Sequence, residues 1–334
     1  MNNPGEGSRT LVTGAAGFVG AHLVRALVSR GDRVVATDVV DIVEGADVSC
    51  ARLDITDARA VERAVEGMDA VFHVASVVHT RKNNRDRVFE VNHAGTKHLL
   101  DACRKAKVRR FVYVSSASVV YEGRDIENGD ETLPYGRGQA PYADSKIEAE
   151  KDVLAANRED FRTCAIRPHV VFGPGDGRFL PNILARAAAG RLTRRVGREL
   201  KLSDFTYIDN LIDGLLRADE SLASDGAAAG QAYFVTNGEP VAFWDFVDKV
   251  LVATGRPPTR GAVPYALAYG FAALAETWHT IRGGGIGVES GVSRFAIRYM
   301  CTHHYFSIQK ARRDLGYEPR VNIDEGIRRT VAAL

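Results

Sequence analysis

Residues 9–38, RTLVTGAAGFVGAHLVRALVSRGDRVVATD, decide the fold. RTLVTG (9–14) is a β-branched run that ends in glycine, so it predicts a strand. AHLVRALVSRG (21–31) repeats its apolar residues at helical spacing, and DRVVATD (32–38) predicts a second strand. Between the first strand and the helix stand Gly14, Gly17 and Gly20, spaced G-x-x-G-x-x-G. Gly14 permits a tight turn, Gly17 lets the backbone approach a pyrophosphate, and Gly20 lets the helix sit close to the strand. Phe18 and Val19 complete the turn, whose free N–H groups and positive helix dipole suit phosphates. A glycine triad alone is a weak signal; lodged between a strand and a helix, it predicts a dinucleotide site.

The rhythm continues outward. DARAVERAVEGM (57–68) reads as a helix, DAVFHVA (69–75) as a strand, and VNHAGTKHLLDACRKAK (91–107) as a long helix. VRRFVYVSS (108–116) is a strand, YADSKIEAEKDVLAAN (142–157) a helix, and FRTCAIRP (161–168) a strand that stops at its proline. Strand alternating with helix predicts a Rossmann-like, doubly wound parallel sheet. After about residue 175 the pattern loosens into helices at 180–190, 209–223, 242–255 and 324–334, with an apolar strand at 231–239. We therefore expect a dinucleotide-binding domain over 1–175 and a smaller α/β substrate lobe over 176–334. The boundary is soft, and some segments of the second half return to the first.

Asp38 closes the second strand, 18 residues after Gly20. A carboxylate there accepts the adenosine ribose hydroxyls and repels a 2′-phosphate. Val39, Val40 and Asp41 supply no cation to pair with that phosphate, so NAD is favoured over NADP. Asp54 and Ile55, after the third strand, are candidates for the adenine end.

Tyr142 and Lys146 stand one helical turn apart, so they share a face. A nearby ammonium stabilises a phenolate, which makes the tyrosine a candidate acid–base. Ser115, Ser116 and Ser118 end the preceding strand, where α/β sheets place ligands. A hydroxyl there can hold a substrate oxygen against Tyr142.

TGxxGxxG with YxxxK resembles the extended short-chain dehydrogenases/reductases. Within them the chain resembles the 3β-hydroxysteroid dehydrogenase group, and most of all its branch acting on sterol-4α-carboxylates. The likeness spans nearly the whole sequence, including residues 111–135, AIRPHVVFGPGD (165–176), DFTYIDNLIDG (204–214), 235–246 and 303–319. The resemblance implies Ser116, Tyr142 and Lys146 as catalytic residues, with Ser115 the alternative serine. It implies Asn92 near the active site, ordering a proton relay, Ala75 and Ser76 beneath the adenosine and ribose, and Pro168, His169 and Val170 beside the nicotinamide. The implied reaction is NAD-dependent oxidation of a sterol 3β-hydroxyl; with a 4-carboxylate present, the resulting β-keto acid loses CO₂. Arg81, Lys82 and Arg178 are candidates to steer that carboxylate. The alternatives are a plain 3β-hydroxysteroid dehydrogenase, a 2-alkyl-3-ketoacid reductase and, more distantly, a nucleotide-sugar epimerase or dehydratase. A cofactor sensor without catalysis would have no use for the Tyr/Lys pair. The resemblance also allows a homodimer through the YxxxK helices.

Composition fits this reading. The chain has 334 residues, with 44 Lys+Arg against 42 Asp+Glu and a net charge of +2, so no nucleic-acid partner is expected. The local run RLTRRVGR (191–198) reads as a solvated face or a small-anion contact. Cys50, Cys103, Cys164 and Cys301 form no C-x-x-C pair, so a reduced, cytoplasmic setting fits and neither zinc nor disulfides are expected. The polar start MNNPGEGSRT reads as no signal peptide. His303 and His304 are adjacent, which on a strand points them to opposite faces; no third ligand is evident and no metal is assigned. Phe243, Trp244 and Phe246 read as core. The uncharged stretch 261–275 is too short to span a bilayer. It reads as a buried or amphipathic helix, with peripheral membrane contact through 261–281 as the alternative.

Overall fold

The computed structural model describes residues 7–42, 48–79, 84–138, 140–281 and 293–334. Arg81 and Lys82 lie outside them. The first half supplies strands β1 (Arg9–Thr13), β2 (Arg33–Asp38), β3 (Val48–Arg52), β4 (Ala70–His73) and β5 (Arg110–Val114). It continues with β6 (Ile126–Gly129) and β7 (Arg162–Pro168). Its helices are α1 (Phe18–Arg30), α2 (Ala58–Ala64), α3 (Arg85–Phe89), α4 (Gly95–Lys105) and α5 (Pro141–Ala155). The second half begins with β8 (Val171–Phe172), α6 (Phe179–Ala188), β9 (Arg195–Val196), β10 (Leu202–Ser203), β11 (Thr206–Tyr207) and α7 (Ile208–Ala223). There follow β12 (Gln231–Val235), β13 (Val241–Ala242), α8 (Phe243–Ala253), β14 (Ala262–Val263) and α9 (Tyr265–Ile281). The chain closes with α10 (Arg294–Met300), β15 (His304–Phe306), α11 (Gln309–Leu315) and α12 (Ile323–Val331).

The main sheet has seven strands in the order β12-β7-β5-β4-β1-β2-β3, every pair parallel. The order reverses between β1 and β4, and at such a switch point a crevice opens beyond the carboxyl ends of the strands. Alternation along the strands builds two cores. Val12, Phe72 and Val112 face α1 and α7, whereas Leu11, Val71 and Phe111 face α2, α4 and α5. The two halves interleave. β12 comes from the second half yet completes the main sheet, and β6 from the first half edges a second sheet, β13-β10-β15-β6. Phe246 is fully buried and Trp244 nearly so, in keeping with a core role.

Among the described residues no helix is long and apolar enough to cross a membrane. α9 nevertheless departs from the buried-helix expectation. Among its described side chains only Ala272 is fully enclosed, while Leu267, Phe271, Leu274 and Trp278 stand 68%, 70%, 73% and 59% exposed. These positions recur every three or four residues and so share one face.

Candidate active site

A cleft of about 730 Å³ runs across the switch point, from the end of β2 to the start of α5 and on to α6 and α10. Its first wall is the glycine turn. Gly14 adopts φ +72°, and a Cβ there would meet Ala75 Cα at 2.7 Å; a Cβ on Gly20 would lie 2.1 Å from the Gly14 oxygen. Both positions therefore exclude any larger residue. α1 starts at Gly17 with no side-chain cap and no acid in its first turn, so its leading N–H groups remain available to an anion. Asp38 reaches back across the turn, accepting from Ala16 N at 3.1 Å and from Val39 N at 2.7 Å. Its carboxylate is thereby fixed at the rim where a ribose would lie. This cradle fits an extended dinucleotide.

Asp54 also lines the cleft. One of its oxygens accepts from Thr56 N and Thr56 Oγ1, which holds its carboxyl below the usual range. Ile55, Phe18, Val19, Ala75 and Ser76 line the same wall, and Pro168, His169 and Val170 line the far end.

Asn92 does not reach the cleft. Its amide is saturated: Oδ1 accepts from Val77 N at 2.7 Å, and Nδ2 donates to Val77 O and Ser145 Oγ. It pins the loop after β4 to α5 from behind. The side chain of the residue implied to order a relay is thus engaged with Val77 and with Ser145, between Tyr142 and Lys146.

The candidate catalytic floor is built at the end of β5 and the first turns of α5. Pro141 opens α5, and Tyr142, Lys146 and Glu150 follow at one-turn intervals on one face. Lys146 is 2% exposed; its Nζ donates to Val114 O at 2.8 Å and lies 4.6 Å from the centre of the Tyr113 ring. Burial pushes its pKa down to about 7 against the pull of Glu150. The two serines separate cleanly. Ser115 is buried and donates its proton to Glu150, which Arg167 and Tyr135 also hold. Ser116 instead accepts from Ser118 N and, at 2.9 Å, from Ser118 Oγ, so neither bond uses its own proton. Ser116 and Tyr142 line the same cleft.

Electrostatics correct one expectation. Burial is the largest influence on Tyr142 and raises its pKa; Ser116 and the Arg178 charge pull it down by less. The phenol therefore sits above its ordinary value, because desolvation outweighs the Ser116 and Arg178 contributions.

Arg178, at the start of α6, lines the cleft and donates to Val78 O at 3.3 Å. Phe295 and Tyr299 of α10 close the substrate end. Sequence reasoning missed this pair, which lies more than 150 residues beyond Tyr142; the signal present was two aromatics four apart in RFAIRYM. His169 is 4% exposed, with Nδ1 bonded to Asp204 O at 2.5 Å and Nε2 to the Tyr299 hydroxyl. Both ring nitrogens are engaged, so it borders the cleft as a structural support.

His304 turns inward and His303 does not, as strand alternation predicts. The structure does bring Asp125 and Glu127 to His303, with one ligand atom from each of the three within 4.8 Å of the others. Lys201 already neutralises Asp125 at 3.1 Å, and we assign no metal there.

The sequence profile of the 3-beta hydroxysteroid dehydrogenase/isomerase family matches residues 11–263, from β1 through the catalytic floor and into the substrate lobe. The chain belongs to this family. A sterol-4-alpha-carboxylate 3-dehydrogenase (decarboxylating) of Mus musculus is 35% identical over 99% of this chain and 92% of its own. A 2-alkyl-3-oxoalkanoate reductase of Stenotrophomonas maltophilia is 40% identical over 97% of this chain and 99% of its own. Among solved structures, an epimerase of Methanothermobacter thermautotrophicus superposes with a TM-score of 0.78 at 25% identity, covering 98% of this chain and 92% of that one. As a member of the 3-beta hydroxysteroid dehydrogenase/isomerase family, the protein is an oxidoreductase that acts on CH–OH groups.

Proposed function

We propose that the protein oxidises the 3β-hydroxyl of a sterol with NAD⁺, and that its substrate carries a carboxylate on the neighbouring carbon. The observation that carries this reading is one cleft holding both the glycine–Asp38 cradle and the Ser116–Tyr142–Lys146 floor. The 35% identical sterol-carboxylate dehydrogenase supports the substrate class. Arg178 on the cleft wall supplies a cation for the carboxylate.

Bound NAD⁺ supplies the hydride acceptor. The chain supplies the proton chemistry and the alignment. Ser116, its oxygen held by Ser118, donates to the substrate oxygen and positions the carbinol. Tyr142, as phenolate, accepts the hydroxyl proton. Lys146, fixed on Val114 O, would present its amine to the phenol and to the cofactor ribose. The product ketone lies β to the carboxylate, so CO₂ leaves as the ketone takes up the electron pair, and no further residue is required. Reduction of a 2-alkyl-3-keto acid is the second reading, favoured by the 40% identical reductase.

A panel separates the readings. It offers NAD⁺ with a 4-carboxysterol, a plain 3β-hydroxysteroid, a β-hydroxy fatty acid or a UDP-sugar. The 4-carboxysterol is expected to give the highest kcat/KM; preference for the fatty acid or the nucleotide sugar would overturn the assignment. Asp38→Ala is expected to raise the KM for NAD⁺ by about tenfold or more, the worth of a single hydrogen bond to a charged group, and to lessen discrimination against NADP⁺. An unchanged NAD⁺/NADP⁺ ratio would remove Asp38 from the ribose.

A water-insoluble substrate also suggests a use for the exposed face of α9. β14, just before α9, pairs with β9 inside the arginine-rich run, and Arg195 N donates to Gly261 O. Cations therefore stand beside the start of an apolar helix face, which suits an anionic lipid surface. α9 also packs on α10, which carries Phe295 and Tyr299 to the cleft. Phe271→Glu with Leu274→Glu is expected to reduce co-sedimentation with phosphatidylserine vesicles several-fold and to spare turnover of detergent-dispersed substrate. Undiminished sedimentation would contradict the contact.

A further inference from the structure

We propose that Tyr299 determines substrate shape: its ring is a fixed flat wall that selects fused-ring alcohols over flexible acyl chains. The proposal deepens the sterol reading and rests on it.

The argument starts from how firmly the ring is held. The Asp204 carbonyl can only accept, so the His169 Nδ1 contact at 2.5 Å places the imidazole proton on Nδ1. Burial holds His169 well below its usual pKa, so the ring is neutral and Nε2 offers a lone pair. The Tyr299 hydroxyl donates to that lone pair. Its single proton is thereby committed to the protein, and its oxygen shows the cleft lone pairs alone. On the other side the His304 ring stacks on Tyr299 at 4.0 Å between centroids, while its Nε2 bonds Tyr299 O at 2.5 Å. Tyr121 meets Tyr299 edge-on at 5.2 Å, and Phe295 stacks beside it at 5.5 Å. Tyr121 is itself tied by its hydroxyl to Thr302 at 2.8 Å. Tyr299 thus has its hydroxyl, its backbone carbonyl and its stacking partner all fixed.

This wall stands next to the chemistry. Tyr299 lines the same cleft as Ser116 and Tyr142. A ring already held in place costs a rigid, flat ligand little ordering on either side, and face contact with an aromatic rewards planarity. A flexible acyl chain must freeze its torsions to gain the same contact. A carboxylate is also disfavoured beside an oxygen that offers only lone pairs, which leaves the Arg178 side of the cleft as its place.

The test uses binding, so it does not depend on turnover. A fused-ring 3-ketosteroid and a straight-chain 3-keto acid are titrated into the NADH-loaded protein, its Tyr299→Phe variant and its Tyr299→Ala variant. The wild type is expected to prefer the steroid. Tyr299→Ala is expected to weaken the steroid by about 10- to 30-fold and the acyl ligand by less than threefold. Tyr299→Phe, which keeps the ring and loses only the tether to His169, is expected to cost the steroid about threefold. Equal losses for both ligands would show a merely structural role and overturn the proposal, as would a wild type with no steroid preference. Selective binding together with an inactive steroid alcohol would uphold the wall and defeat the dehydrogenase reading instead.

Discussion

Tyr142→Phe is expected to lower the rate of carbinol oxidation by about 10³-fold while NAD⁺ binding stays within a few-fold of wild type, since a positioned acid–base contributes roughly 10²–10⁴. The ring fills the same space, so α5 and the cleft wall persist, and what is lost is the one oxygen placed to take the proton. The pH profile sharpens the test. Burial raises the Tyr142 pKa above its ordinary value, and the active form for oxidation is the phenolate. Wild-type kcat/KM should therefore climb as pH rises, and the residual rate of the variant should lose that climb. Steady-state kinetics over pH 6 to 10 checks both. A variant that keeps wild-type turnover would remove Tyr142 from the reaction.

Lys146→Met is expected to reduce turnover by about 10²-fold or more and, at the same time, to stabilise the fold in a pH-dependent way. The lysine is buried, and its pKa in the folded protein is lowered from 10.5 to about 7. Below pH 7 the ammonium is charged in both states, and folding bears the whole cost of burying it. Between pH 7 and 10.5 the unfolded chain binds more protons than the folded one, so stability rises with pH. Above 10.5 the difference is gone. The gain in Tm of Lys146→Met over wild type should be largest below pH 7 and fade toward pH 10. Thermal denaturation at pH 6 and pH 9.5 measures it, and an equal gain at both values would contradict a buried, proton-shedding lysine. The pairing of lost activity with gained stability fits a site whose buried lysine costs stability at the place where it functions.

Much of the molecule was legible in the sequence because its constraints are local. Gly14 and Gly20 announce themselves since no side chain fits where they stand, and Tyr142 and Lys146 because one helical turn is a fixed spacing. That the strands of the main sheet run parallel followed from strand–helix alternation. What was not legible depends on contacts distant in sequence. Asn92 sits in the expected neighbourhood, but its amide is consumed by Val77 and Ser145, and no local pattern tells a saturated amide from a free one. The resemblance put Ser116 ahead of Ser115, but the physical reason was hidden: the Glu150 carboxylate captures the Ser115 proton from a turn beyond Lys146. Tyr299 and Phe295 reach the cleft from α10 by tertiary folding alone. The raised pKa of Tyr142 reverses the expectation drawn from the Tyr/Lys spacing, since spacing reports a neighbour and says nothing of the water excluded around both.

The account turns on one coupled reaction. Purified protein, a 4-carboxy-3β-hydroxysterol and NAD⁺ are incubated together, with NADH followed by absorbance and CO₂ trapped from the same vessel. The two should appear in equal amounts, both abolished in Tyr142→Phe. NADH without CO₂ would contradict the carboxylated substrate, and no NADH from any 3β-hydroxysterol would contradict the sterol dehydrogenase itself.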